Sequence, residues 1–268
     1  MTGDIVFIRG GGDIATGIAH KLYRCGFRVL VLEIEWPTVV RRKVSFAQAI
    51  FDGETVVEGV KAVKVTNEEE IFMSWNKGCV PVLIDSQLNI LEKIKPDILV
   101  DSILAKRNLG TNKTMAPITI GVGPGFKAGE DVHVVVETNR GHNLGKLIFD
   151  GSAEPDTKIP QEVMGYTSER VLRAPCDGII ENIFDIGDHV SKGQIVAYVN
   201  GEPVKALIDG IIRGLIMNNT LVNKGLKIGD IDPRAVVEYC FTISDKARAV
   251  GGGVLEAILY FKTIRGSF

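Results

Sequence analysis

The sequence has no paired or clustered cysteines. Its four, Cys25, Cys79, Cys176 and Cys240, lie far apart, with no CxxC and no Cys/His group. That pattern argues against a disulfide framework and against a zinc site, and no metal centre is expected. The four histidines (His20, His133, His142, His189) are equally scattered. A Lys/Arg-rich tract is missing too. With 31 Lys+Arg against 33 Asp+Glu the net charge is −2, which argues against binding to nucleic acid by counterion release. No segment approaches the ~20 apolar residues of a membrane span. The N-terminal run Ile5 to Ile8, bounded by Asp4 and Arg9, is too short for the core of a signal peptide. A soluble, cytoplasmic protein without a membrane partner is the expectation. Nor does any nucleophile stand beside a base in the sequence, so a reaction is not legible.

What is present is an ordinary globular composition, 45% hydrophobic and 24% charged over 268 residues, long enough for one large domain or two modest ones. Short apolar runs alternate with helical patterns in the first part. Ile5–Ile8 reads as a strand, Ile14–Cys25 as a helix stopped by Gly26, and Arg28–Glu33 as a second strand. Asn67-Glu-Glu-Glu70 starts a helix that ends near Gly78. Val80–Ile84, Ile98–Val100, Ile118–Val122 and Val132–Val136 read as further strands. Such alternation predicts a doubly wound α/β domain, a Rossmann-like parallel sheet with helices on both sides, over residues 1–150. Gly, Ser, Pro, Asp and Thr crowd 151–169, read as a linker. The apolar stretch Val254–Phe261 reads as a helix within a terminal segment, 241–268.

Residues 170–240 contain a repeat. Ala174, Asp177-Gly178-Ile179-Ile180, Val190, Lys192 and Gly193 recur 32 residues later as Ala206, Asp209-Gly210-Ile211-Ile212, Val222, Lys224 and Gly225. Neither half buries a face alone, so the copies are expected to pair about a pseudo-twofold axis as a small flattened barrel. With Gly187 to Gly193 it resembles a biotinyl/lipoyl-type barrel. Carriers of that type hold a modified lysine at the hairpin tip. Here the tip reads Val199-Asn200-Gly201-Glu202-Pro203 and Lys205 falls past it. No covalent biotin or lipoate is expected, and a docking role is.

The strand Ile5–Ile8 runs into Gly10-Gly11-Gly12-Asp13-Ile14-Ala15. A dinucleotide loop needs a first glycine for the turn, a second for close approach to phosphate, and a small third residue for helix–sheet packing. Glu33, 23 residues after Gly10, stands where a carboxylate grips a ribose diol. No Arg directly follows it, which favours NAD over NADP, although Arg41 and Arg42 leave a 2′-phosphate open. Asp13 caps a helix well but is unwelcome beside a pyrophosphate, so a single phosphate is an alternative. In open α/β sheets ligands sit outside the carboxyl ends of the strands. The loops there bring Lys106 and Arg107, then Gly123 and Gly125, then Arg140 and His142. Lys106, Arg107 and Arg140 are the expected cationic rim for an anion, and His142 is the candidate for proton transfer.

Long stretches also resemble one family: Arg9-Gly-Gly-Gly-Asp-Ile-Ala15, Arg41-Arg42 with Ser45-Phe46, Ile103-Leu-Ala-Lys-Arg-Asn-Leu-Gly110, Gly123-Pro-Gly-Phe126 and Glu137-Thr-Asn-Arg-Gly-His142. Gly225-Leu-Lys-Ile-Gly-Asp-Ile-Asp-Pro-Arg234 and Ser244-Asp-Lys246 continue it. The chain resembles the YqeB-type accessory proteins of selenium-dependent molybdenum hydroxylase systems, related through an N-terminal XdhC-like domain to cofactor maturation proteins. That resemblance implies a maturation factor binding a molybdopterin-type nucleotide or NAD, with the apo-hydroxylase or other maturation proteins as partners. Two rival readings remain, an NAD-dependent oxidoreductase and a non-catalytic assembly module with a vestigial nucleotide site. Homo-oligomerisation is left open.

Overall fold

A computed structural model describes residues 3–157 and 159–265. They divide into two compact units. Unit 1 holds the chain up to Pro37, Phe46–Asp156, and everything from Ile243 on; unit 2 holds Thr38–Ser45 and Thr157–Thr242.

Unit 1 begins with β1 (Ile5–Arg9), α1 (Asp13–Arg24) and β2 (Arg28–Glu33). The helix forms because Ile14, Ile18 and Leu22 recur at four-residue spacing and all are buried. Past its last turn the chain turns at Gly26, which adopts a left-handed φ of 88°. A four-residue turn of helix, α2 (Ala49–Asp52), precedes the hairpin β3 (Glu54–Val57) and β4 (Val60–Val65). Then come α3 (Glu68–Asn76), β5 (Val80–Ile84), β6 (Ile98–Asp101), β7 (Ile118–Val122), β8 (Val134–Val136) and β9 (Leu147–Ile148). Asn67 caps α3: its side chain accepts the Glu70 N–H at 3.0 Å, while the Glu70 carboxylate accepts the Thr66 N–H at 2.7 Å.

The strands form one nine-stranded sheet in the order β3-β4-β5-β2-β1-β6-β7-β8-β9. Neighbours from β4 to β8 run parallel, whereas β3 and β9 pair antiparallel at the two edges. The expected Rossmann-like, doubly wound parallel sheet is therefore corrected to a mixed sheet. The β3–β4 hairpin went unread because its strands are half-polar, with only Val57, Val60, Ala62 and Val65 inside. The β5–β6 and β6–β7 connections each hold only a single short 3₁₀ turn and no α-helix, so the alternation stops after β5.

The last helix of the chain, α4 (Asp245–Arg265), packs on α1, β7 and β8. It starts nine residues before the apolar stretch that sequence periodicity singles out and runs straight through Gly251-Gly252-Gly253. Each glycine costs a helix roughly 1 kcal/mol relative to alanine, so packing must supply the reason. A Cβ on Gly17 of α1 would fall 2.7 Å from the Ala247 Cβ, one on Gly251 would lie 3.0 Å from the Gly17 oxygen, and one on Gly253 would collide with the Gly145 carbonyl. Gly252 faces away, with only the flexible Lys21 Nζ at 3.5 Å.

Unit 2 is built from β10 (Val171–Arg173), β11 (Gly178–Asn182), β12 (His189–Val190), β13 (Ile195–Val199), β14 (Glu202–Lys205), β15 (Gly210–Leu215), β16 (Leu221–Val222) and β17 (Lys227–Asp232). They make two four-stranded antiparallel sheets, β10-β17-β15-β12 and β14-β13-β11-β16. The biotinyl/lipoyl-like barrel is thus corrected to a pair of separate sheets around one apolar core that includes Ile180, Val196, Ile212 and Ile228. The terminal helix does not follow it as part of that body. The 32-residue repeat appears as reciprocal exchange. β11 pairs with β16 while β12 pairs with β15. Likewise the Lys192 N–H donates to Asp209 at 2.7 Å and the Lys224 N–H to Asp177 at 2.6 Å. Segment 38–45 joins this unit: the Leu215 N–H donates to the Val40 carbonyl at 2.8 Å, and Arg42 reaches the Leu215 carbonyl and Asp185, each at 2.7 Å.

Two substitutions test the packing of α4. Gly252→Ala is expected to raise stability by about 0.5–1 kcal/mol, the helix-propensity gain. Gly253→Ala is expected to lower it by roughly 1–3 kcal/mol through overpacking. Chemical denaturation of both variants decides; equal effects would remove the close-approach account.

Candidate functional site at the carboxyl edge of the sheet

The glycine loop follows β1. Gly10 takes a φ of 88°, and a Cβ there would meet the Ser102 oxygen at 3.0 Å. Only glycine suits both demands. Gly12 is the N-cap of α1, in extended conformation, and the helix start has no side-chain cap. Its first-turn N–H groups have no partner within the helix, as at any helix N-terminus. Asp13 sits in that turn half-buried, whereas Ile14 and Ala15 turn into the core. Gly11 is buried, and its carbonyl accepts the Ala47 N–H at 2.9 Å.

Glu33 does not face a ligand. Its Oε1 accepts the Gly11 N–H at 2.6 Å and its Oε2 the Ile34 N–H at 2.9 Å. The residue is 8% exposed. Burial pushes its carboxyl above the usual range, and the two N–H donors pull the other way. The acid stitches the loop to β2. Arg41 and Arg42 lie in unit 2, where Arg41 donates to the Tyr239 and Thr242 carbonyls at 2.8 and 3.1 Å.

Under the next loop lies a buried ion pair. Arg9 at the end of β1 meets Asp101 at the end of β6 at 3.0 Å, and both bond Thr111, at 2.6 and 2.7 Å. The three side chains anchor both ends of the segment 102–110. Within it Leu104 and Lys106 adopt left-handed φ values of 60° and 61°. Bulky residues pay for that conformation, which is concentrated at functional loops. The Ser102 hydroxyl is buried there without a hydrogen-bond partner.

Loops after β7 and β8 close on the same place. A Cβ on Gly123 would lie 2.7 Å from the Thr138 hydroxyl, and one on Gly125 2.6 Å from the Arg107 nitrogen. Glu137, 2% exposed, shapes the last loop by accepting the N–H groups of Thr138, Asn139 and Glu154 at 2.7, 2.7 and 2.8 Å. Arg140 forms a two-pronged pair with Asp245 of α4 at 2.6 and 3.0 Å. Lys106 pairs with Asp156 at 2.6 Å. Arg107 and His142 are exposed. Sequence reading missed Lys246, the second residue of α4. It is half-buried, and the charges of Arg140, Asp13, Asp156 and Glu137 all act on it. Burial first, then Arg140, hold its ammonium below the usual lysine range. The motif Ser244-Asp-Lys246 was visible, but nothing in the sequence put it beside the glycine loop. Unit 1 also has a cleft of about 190 Å³ at the ends of β4 and β5, lined by Thr66, Asn67 and Asp85 among others.

No family model matches the chain. It is 49% identical over 255 residues to the uncharacterized protein YqeB of Escherichia coli K12, covering 95% of this chain and 47% of that one. Identity of that level and length makes the two homologous across the shared region, and the chain spans about half the length of that relative. Among solved structures, the ectoine utilization protein EutE (DoeB) of Ruegeria pomeroyi is 14% identical with a TM-score of 0.26, over 85% of each chain. An aspartoacylase family protein of Mesorhizobium loti is 12% identical with a TM-score of 0.27, again over 85% of each. Scores so low do not define the fold. The Rossmann, NAD-binding and biotinyl/lipoyl descriptors are withdrawn with the parallel sheet and the barrel, given the mixed nine-stranded sheet and the two separate four-stranded ones. The relative's name mentions neither molybdenum nor selenium. Among the described residues no helix is long and apolar enough to cross a membrane.

Asp101→Asn tests the base of the site. It leaves the Arg9 charge buried and uncompensated, so urea denaturation is expected to show a loss of about 3 kcal/mol or more. A loss near zero would mean that the 102–110 loop stands without the pair.

Proposed function

We propose that unit 1 binds a phosphate-bearing small molecule of the pterin or nucleotide type at the carboxyl edge of its sheet. One observation carries this reading: the loop after β6 is packed backbone against backbone on Gly10 at one end and on Gly125 of the β7 loop at the other, while Gly123 sits against the Thr138 side chain after β8. Such close approach is needed to hold a ligand's phosphate on main-chain N–H groups. Glu33 faces into the loop instead of outward, so the ribose-gripping acid of a dinucleotide site has no counterpart there. This favours a ligand held by its phosphate over one held by a ribose diol.

The role we propose is that of an accessory protein in the maturation of a selenium-dependent molybdenum hydroxylase. Its support is the set of sequence motifs, not the name of the relative. The partners in this reading are the apo-hydroxylase and other cofactor-maturation proteins.

Gly12→Val tests the site. The φ of −65° at Gly12 suits any L-residue, so the fold is expected to survive. Calorimetry with a pterin phosphate and a nucleoside monophosphate as probes is expected to show at least about a tenfold loss, given roughly 1.5–3 kcal/mol per charge-assisted bond. Unchanged binding of both probes would move the site elsewhere.

A further inference from the structure

The three cations that sequence reading assigns to the rim differ in what they are free to do. Arg140 is held by Asp245 through both guanidinium nitrogens, and Lys106 is held by Asp156. A cation already committed to a carboxylate has to break that contact before it can take a ligand oxygen. Arg107 also makes no side-chain hydrogen bond or ion pair among the described residues, but it is exposed to water, and Gly125 packs against its backbone.

Lys246 stands differently. It makes no hydrogen bond or ion pair among the described residues, although four charged side chains lie close enough to act on it. Each element around it supplies one or more: Asp13 from the start of α1, Glu137 and Arg140 from the end of β8 and its loop, and Asp156 from the end of the unit's second segment. Asp245 precedes it on α4 itself. The carboxylates of Glu137, Asp156 and Asp245 are committed, to three N–H groups, to Lys106 and to Arg140 respectively. What remains is a half-buried ammonium without a hydrogen bond or ion pair among the described residues, between Asp245, which Arg140 holds at 2.6 Å, and Ala247, which packs on Gly17 of α1.

The geometry points to Lys246 as the residue that meets the anionic oxygens of the ligand carried at Gly12 and the first turn of α1. The assignment rests on the proposed phosphate site and names the side chain that completes it. It also accounts for Asp13. A carboxylate in the first turn of α1 repels an incoming phosphate, and an ammonium beside both groups offsets that repulsion. Arg140 becomes a positioning residue: by gripping Asp245 it fixes the start of α4, and hence Lys246, relative to the loop after β8.

Burial disfavours the charged amine, and an anion beside it favours the charged form again. The amine binds an anion while protonated, so affinity falls as pH rises through its lowered pKa. That fall comes below the ordinary lysine value of 10.5.

The test uses the full chain and inorganic phosphate, followed by calorimetry across the alkaline range. Lys246→Met is expected to weaken binding at least about tenfold. Lys246→Arg is expected to restore most of it and to move the alkaline fall upward, since a guanidinium stays charged. Removing a penalised buried charge should leave the thermal midpoint of Lys246→Met unchanged or higher. Phosphate binding in Lys246→Met equal to the parent, with Gly12→Val still defective, overturns the assignment and leaves the phosphate site standing. Absence of phosphate, pterin phosphate and nucleotide binding in the parent chain overturns the site itself. As an independent reading, the ¹³C-methylated Lys246 resonance should titrate below those of the other lysines and shift on adding phosphate; titration with the rest and no response overturns the assignment.

Discussion

The close contact between α4 and α1 is the constraint on which unit 1 depends. A parallel sheet needs both faces covered, and crossover helices ordinarily do this as the chain passes from strand to strand. Here the connections after β6 and β7 contain no α-helix, and the face above β7 and β8 would stand open. The gap is filled from the other end of the sequence by a helix that must fit against α1, against β8 and against the Gly145 turn at once. Side chains at Gly17, Gly251 and Gly253 would hold these backbones apart. The glycines that make α4 a poor helix in isolation are what let it sit there, and tertiary packing overrides local propensity.

That packing also places chemistry. Because α4 enters the unit at Ile243, its first turn arrives at the carboxyl edge of the sheet, beside loops that are more than a hundred residues away in sequence. Arg140 and Asp245 are 105 residues apart and meet there at hydrogen-bond distance. The edge is therefore assembled from both ends of the chain. Its acids mostly serve as internal scaffolding: Glu33 stitches the glycine loop, Asp101 holds Arg9, and Glu137 shapes its own loop. Buried carboxylates satisfied by backbone N–H groups rigidify a loop without offering charge to a ligand. In the proposed reading, specificity at this edge consequently rests on backbone donors and on the few cations left over.

Much of this was legible in sequence. The strands from β1 to β8 that are apolar on both faces declared themselves, as did the Asn67 cap and the turn at Gly26. The 32-residue repeat was also legible, because identical Asp and Gly residues recur where the two copies exchange contacts. The mixed character of the sheet was not, since β3 is short and half-polar and β9 has only two residues, too few to show a period. The start of α4 escaped because three successive glycines signal a break when read locally. Glu33 was correctly placed at the end of β2, but spacing alone cannot say which way a carboxylate turns. Its inward turn is decided by the unpaired Gly11 N–H, which only the folded backbone brings within reach.

The direction of Glu33 has a consequence for the kind of ligand the edge accepts. A dinucleotide site divides its labour: the loop takes the pyrophosphate and the acid after the second strand takes the ribose. When the acid is spent on the loop itself, the second half of that recognition is missing, and exposing the carboxylate again would leave the Gly11 N–H buried without a partner, at a cost of roughly 1–3 kcal/mol. Burial raises the Glu33 carboxyl above its usual range and the two N–H donors offset part of that rise, so the buried carboxylate depends on them. In the proposed reading a ligand at this edge is gripped at its anionic end, by the first turn of α1 on one side and by the start of α4 on the other, and its remaining parts meet loops rather than a ribose-binding acid.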